Sequence, residues 1–376
     1  VASLFLKLGT IGFGGPAAHV ALMEDEVVRR RRWLTREAFL DLLGATNLIP
    51  GPNSTEMAIH IGFVRAGWRG LVAGGVAFIL PAALTTLALA VGYARYGTLP
   101  AAGWLLYGVK PVIIAVVVQA VWGLARKALA TPLAAAAALA VLVLSLRGVN
   151  EVALLFGAAL ALPLVRALGT RAGISGVAPG ALLAFSGAPA ATATLSGPAT
   201  GAVGLTHLGL IFLKVGSILF GSGYVLLAFL RPDLVERTGW LSDGELLDAV
   251  AVGQLTPGPV LTTATFIGYL VAGTPGAIVA TIAIFLPSFV FVALSNPLIP
   301  RLRGSARAGS FLDGANAASI ALMASVAWQL GRSAVVDWVT AGLTVTAAVL
   351  LLTTRVNSVW LVAGGAVVGG LRAILG

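Results

Sequence analysis

The chain contains itself twice, and each copy carries a Pro-Gly-Pro inside a hydrophobic stretch of membrane length. Phe5-Leu-Lys-Leu-Gly9 returns as Phe212-Leu-Lys-Val-Gly216, Trp33-Leu34 as Trp240-Leu241, and Asp41 as Asp248. Pro50-Gly51-Pro52 returns as Pro257-Gly258-Pro259, at the same offset of 207 positions. Further on, Gly62 matches Gly268, Pro81 matches Pro287, and Trp122-x-x-x-Arg126 matches Trp328-x-x-x-Arg332 at an offset of 206. One residue is therefore missing from the second copy between Pro259 and Gly268. Duplicated membrane halves with matching interrupted segments point to a carrier whose binding site lies where the repeats meet.

The 376 residues are 58% hydrophobic and 10% charged, with a mean hydropathy of +0.98, too apolar for a soluble globule. The apolar runs are continuous rather than alternating, which predicts membrane helices and excludes a β-barrel. The fold expected is an all-α polytopic membrane protein. The net charge of +10 does not indicate nucleic acid, because the basic residues sit in short loops between apolar segments, as the positive-inside bias requires. With no cysteine, disulfides, thiolate metal sites and thiol nucleophiles are excluded. Val1–Met23 belongs to the repeated element, so it reads as structure rather than as a signal peptide.

Each half reads as one series: an apolar segment broken at glycine (Val1–Met23; Leu205–Leu230), then a polar loop (Glu24–Glu37; Arg231–Glu245). Two short helices meeting at the Pro-Gly-Pro follow, and then four ordinary spans. The expected division is a repeat over residues 1–168, a linker over 169–204 rich in Gly, Ala, Pro, Ser and Thr, and a second repeat over 205–376. Thr35 and Ser242 are placed to cap the short helices, the latter with Glu245 in a capping box. From cap to proline is about 14 residues, or roughly 21 Å, less than the roughly 30 Å hydrocarbon core. Proline stops a helix, so the chain enters the membrane, halts and starts again. If it then turns back, Arg29–Arg32, Arg36, Arg65, Arg69, Arg126, Lys127, Arg166 and Arg171 share one side, opposite Arg95 and Arg147. A full crossing would erase that bias, so the turn is expected to be re-entrant. Five crossings per half then follow, an odd number that predicts inverted repeats, unless the glycine-broken first segments also turn back, which changes the parity.

A half-helix starting after Pro52 or Pro259 presents unpaired N–H groups and a positive dipole end inside the membrane, a natural place for an oxyanion. Asn53, Ser54 and Thr55 add donors in one copy, and Thr262 and Thr263 in the other. Lys7 and Lys214 occupy matched positions in apolar segments; either they face a polar cavity or they snorkel. Lys110 faces Asn316 across the repeat, so that charge is not duplicated. Asn47 and Gln254, just before each Pro-Gly-Pro, are candidate donors to an anion or bridges between helices. Glu56 and His60 lie one turn apart and have no titratable counterpart in the second copy. They are candidates to carry a proton or to pair structurally. Asp41 and Asp248 are matched acids that join them as proton-coupling candidates. The Arg29–Arg32 run reads as a topology device, and His19 and His207 have no evident role.

Phe13-Gly-Gly-Pro16, the basic loop ending Arg32-Trp33-Leu34, Leu48-Ile-Pro-Gly-Pro-Asn53 and Arg65-Ala-Gly-Trp68 resemble the chromate ion transporter family. Phe220-Gly-Ser-Gly-Tyr224 and Gln254-Leu-Thr-Pro-Gly-Pro259 resemble the second copy of its two-domain members. The resemblance implies a multi-pass carrier of the bacterial inner membrane that exports chromate, with sulfate as a related substrate. It places Gly14, Gly15, Gly221 and Ser222 in the substrate-binding set, with the turn residues Pro50, Gly51, Pro52, Pro257, Gly258 and Pro259. The expected partners are an oxyanion, protons and the lipid bilayer; a homodimer is compatible, and no cofactor, metal or nucleic acid is called for. Uptake of sulfate or export of another anion is the alternative within transport. An intramembrane enzyme acting on a lipid phosphate, with Glu56, His60 and Asp41 as acid and base, is the alternative outside it.

Overall fold

The computed structural model describes residues 1–13, 15–97, 100–172, 204–220, 223–295, 306–354 and 356–375. Among them there are helices and no strands, as a lipid-embedded backbone with no water to bond demands. In the first half these are α1 (Ala2–Ile11), α2 (Gly15–Glu24), α3 (Arg36–Thr46), α4 (Asn53–Tyr96), α5 (Pro100–Ala128), α6 (Pro132–Leu146) and α7 (Glu151–Ala172). In the second they are α8 (Leu205–Ile218), α9 (Leu226–Arg231), α10 (Asp243–Leu255), α11 (Thr263–Ser295), α12 (Ala306–Ala334), α13 (Trp338–Thr353) and α14 (Ser358–Leu375). Five stretches are long and apolar enough to cross a membrane: Asn53–Tyr96, Gly103–Ala128, Glu151–Leu168, Val260–Ser295 and Ala308–Ala334. The chain is a multi-pass membrane protein.

α4 and α11 are each two helices joined at a sharp turn. Gly67 and Gly273 adopt φ of 59° and 63°, and the alanines before them leave helical geometry. The arms fold against each other: a Cβ on Gly62 would lie 2.2 Å from the Gly70 carbonyl oxygen, and one on Gly268 2.3 Å from that of Gly276. Such backbone contact is open only to glycine and drives helix pairing where lipid gives no hydrophobic push. Arg65, at the end of the first arm, returns to the start of α3. The guanidinium carbons of Arg31 and Arg65 each sit 5.4 Å from the Trp33 ring centroid. The chain thus turns back at the Pro-Gly-Pro.

Two expectations are corrected here. The first apolar segment does not cross: Lys7 Nζ reaches Glu26 Oε1 at 2.7 Å, whereas 19 residues of continuous helix would separate them by about 28 Å. α1 and α2 therefore form a hairpin, sealed by Leu4, Phe5, Leu8, Met23 and Val27. That removes one of the five crossings expected of the first half, where the stretches long and apolar enough to cross lie in α4, α5 and α7. Nor are Glu24–Glu37 and Arg231–Glu245 simply polar loops, since π-helical turns continue the chain over Asp25–Arg30 and Pro232–Arg237. Of the expected linker, residues 173–203 lie outside the described residues, while α7 runs on to Ala172 and Gly204 caps α8.

The caps form as the residues dictate. Thr35 Oγ1 accepts from the Ala38 amide, and Ser242 and Glu245 complete a reciprocal capping box. The two short helices are not equally seated, however. α10 packs against α5, α11 and α12, whereas α3 rests mainly on α4 and keeps Asp41 exposed.

Candidate functional site

The two Pro-Gly-Pro turns clasp the opposite halves of the molecule. The Gly51 amide donates to the Leu219 carbonyl at 2.7 Å, and the Gly258 amide donates to the Gly12 carbonyl at 2.8 Å. Leu219 is the repeat equivalent of Gly12, so one hydrogen bond is made twice with the halves exchanged. Both glycines have positive φ, +142° and +91°, and neither has room for a side chain. A Cβ on Gly51 would meet Glu56 Oε1 at 2.1 Å and Ser288 Oγ at 2.7 Å; one on Gly258 would meet Ala82 Cβ at 2.7 Å. Ala82 and Ser288 are themselves equivalent positions.

From each turn a helical segment begins at a proline that has no amide and no side-chain cap. In the first, the Thr55 and Glu56 amides fold back onto the Pro52 carbonyl at 2.8 and 3.1 Å. The Asn53 and Ser54 amides precede the first helical bond, leaving a donor pair at the positive end of the dipole. In the second, the hydroxyls of Thr262 and Thr263 donate to the Pro259 and Val260 carbonyls at 2.9 and 2.8 Å. Thr86 Oγ1 also reaches Thr262 Oγ1 at 3.3 Å.

Behind the first turn lies a group of buried polar side chains with unmet hydrogen-bonding capacity. Thr55 Oγ1, both oxygens of Glu56, both ring nitrogens of His60 and Ser288 Oγ have no partner among the described residues. All four residues are fully buried. Burying a polar group without a partner costs roughly 2–7 kcal/mol, and a bare carboxylate costs far more unless it is neutralised. Glu56 and His60 do not pair with each other, although they lie one helical turn apart.

The remaining expected residues fall elsewhere. The lysines are engaged: Lys7 bonds Glu26, and Lys214 bonds Asp233 while lying 3.8 Å from Glu151. Glu26 and Asp233 are repeat equivalents that sequence reasoning passed over; their matched offset of 19 from each lysine was the available signal. Asn53 Nδ2 donates to Asn47 Oδ1 at 2.6 Å, so these two amides partly satisfy each other. Gln254 is half-buried near the end of α10. Asp248 is buried, accepts from the Tyr93 hydroxyl at 2.8 Å and lies 3.4 Å from Lys110 Nζ. Gly15 opens α2 at φ +77°, with open space where a side chain would be. Gly14, Gly221 and Ser222 lie outside the described residues. His19, for which no role was expected, braces the clasp: its Nε2 lies 2.9 Å from the same Gly12 carbonyl that Gly258 uses.

A family model described as Chromate transporter matches residues 1–162 and 206–370. A chromate transport protein of Cupriavidus metallidurans is 36% identical over 372 residues, covering 97% of this chain and 90% of the relative. A probable chromate transport protein of Synechococcus elongatus is 32% identical over 89% of this chain and 84% of its own length. A chromate transport protein of Pseudomonas aeruginosa is 31% identical, with 87% and 80% covered. No solved structure matches the chain. The family model spans both halves and the relatives cover most of the chain, so the chain belongs to the chromate transporter family.

Proposed function

We propose that this protein carries chromate, a tetrahedral dianion, out across the bacterial inner membrane in exchange with or alongside protons. Family membership supports chromate transport, and the relatives are named as transport proteins rather than enzymes. The observation that carries the reading is the pair of interlocked turns, each starting an uncapped helical segment within the membrane. Fixed N–H groups and a dipole end bind an oxyanion without needing a full counter-charge, so the site can both take up and release its cargo.

The proton belongs, in this reading, to Glu56. Its two carboxyl oxygens are buried beside the turn and have no partner among the described residues. The second repeat holds threonines there and offers no equivalent acid.

The repeats over 1–168 and 205–376, joined by 169–204, are read as inverted. The parity argument fails once the first segment folds back, but contacts supply another. α4's second arm leaves the Trp33 face, α5 returns to it, α6 leaves it, and α7 therefore starts opposite Trp33, at Glu151. Arg237, which belongs to the corresponding Trp240 face of the second half, lies 3.4 Å from Glu151. At α7's other end, Arg166 bonds Asp313 near the start of α12 at 2.7 Å. Both contacts suit halves that run in opposite directions.

Chromate flux in proteoliposomes, with the pH gradient set in either direction, tests the proposal. Gradient-driven accumulation against a concentration difference is the expected result; flux indifferent to the gradient removes the proton, and no flux removes chromate.

A further inference from the structure

A cavity of about 390 Å³ lies directly beside the first turn, between the halves. At roughly 30 Å³ per water it holds about a dozen waters, ample for a hydrated tetrahedral anion. Asn47 and Asn53 form its inner end, and it extends past Asn316 and Ser319 to Lys127 and the α5–α6 connection at Thr131. Two independent features mark it as more than a gap. The uncapped amino end of α4 opens there at Asn53. Ser319, only 1% exposed, also lines it, and its hydroxyl has no hydrogen-bond partner among the described residues.

The charge balance suits an anion. Asp313 borders the cavity, but Arg166 Nη1 bonds it at 2.7 Å, so that pair is neutral. Lys127 forms no ion pair among the described residues and leaves one positive charge at the mouth. At the equivalent place in the second half, Lys110 stands where the first cavity has Asn316, lies 3.4 Å from Asp248, and α5 is packed there by α10. The unfilled cavity opens on the face that carries Arg29–Arg32 and Arg126, the cytoplasmic one by the positive-inside bias.

We infer that this cavity is the cytoplasm-facing loading site for a tetrahedral oxyanion, with Asn316 and Ser319 as recognition residues and Lys127 as the charge at its mouth. The inference rests on the transport reading but assigns residues that reading does not use. An amide and a hydroxyl can each turn a donor toward an oxyanion, and the ammonium raises the local anion concentration by steering.

Because the chain has no cysteine, single-cysteine variants report on the cavity without background. Asn316→Cys, Ser319→Cys and, as an exposed control beside the cavity, Arg126→Cys would be reconstituted and labelled with a negatively charged methanethiosulfonate. Sulfate is the protecting anion, since chromate would oxidise the thiol. The expected result is labelling of all three, slowed at least threefold by sulfate at positions 316 and 319 only, with chloride at equal ionic strength having no effect. Asn316→Asp, measured by equilibrium binding of labelled chromate, is expected to bind more than tenfold more weakly. Labelling without protection, or no labelling at 316 and 319 while 126 reacts, overturns the inference. Wild-type chromate flux measured in parallel separates the two readings: flux without protection removes this site and keeps transport, whereas protection without flux does the reverse.

Discussion

The Tyr93 hydroxyl donates to Asp248 Oδ2 at 2.8 Å, tying the end of one half's long helix to the other half's re-entrant helix. Asp41, the equivalent of Asp248, is exposed instead. A hydrogen bond to a charged group contributes about 1.5–3 kcal/mol, so Tyr93→Phe is expected to loosen α10. Carbodiimide labelling of the Asp248 carboxyl, followed by mass spectrometry, should rise several-fold in the variant. Unchanged labelling would mean that Lys110 and packing alone hold the helix.

The clasp predicts that Gly51→Ala and Gly258→Ala fail in folding rather than in anion binding. Each forces a side chain into positive φ, at about 1–3 kcal/mol, and into contacts of 2.1 and 2.7 Å. Both variants should melt well below the wild type in detergent and elute as aggregates. Transport with normal stability in either one refutes the clasp.

Glu56→Gln preserves shape and removes the titratable group. Chromate binding is expected to persist, while flux loses its dependence on the pH gradient. If the variant keeps full gradient-driven transport, the proton travels elsewhere, with Asp41 and Asp248 the next candidates.

The Lys7–Glu26 pair gives a test by double-mutant cycle. Glu26 is buried but is also held by Arg31 at 3.2 Å, so Lys7→Ala should cost only about 1 kcal/mol. Lys7→Ala in a Glu26→Gln background should cost less still, read as a difference in melting temperature. Should Lys7→Ala instead abolish chromate binding with unchanged melting, the lysine serves the anion directly.

At the end of α12, Asp337 caps α13. The Thr340 backbone amide, then the Tyr107 hydroxyl, bring its pKa down to about 2. A carboxylate whose folded pKa lies below its unfolded value of about 3.9 contributes stability above the latter, lost as pH falls through the former. The difference in melting between wild type and Asp337→Ala should therefore hold from pH 7 to about pH 4 and shrink toward pH 2. A difference that grows on acidification contradicts the capping role.

How much of this was legible in the chain depends on what kind of contact is involved. The duplication, the stop at each Pro-Gly-Pro, the turning back toward Trp33 and the caps at Thr35 and Ser242 follow from local rules of proline, charge and side-chain oxygen. The sequence leaves open whether the first segment crosses or turns back at Gly12, because two apolar arms joined by a short break have the same hydropathy as one span. Only the through-space pairing of Lys7 with Glu26 distinguishes them. His19, Ser288 and Ser319 were likewise out of reach: each matters for what a distant backbone or cavity brings beside it.

One short helix seated and its twin exposed, in a chain built of two copies, has a thermodynamic corollary. Exchanging the two arrangements, as the proposed inversion of the repeats would permit, would give a second conformer whose energy differs by the substitutions between copies. Lys110 against Asn316, Tyr93 against Ile299 and Ser288 against Ala82 are among those substitutions. Which of the two arrangements lies lower is then set by the many positions at which the copies differ, not by the backbone pattern they share.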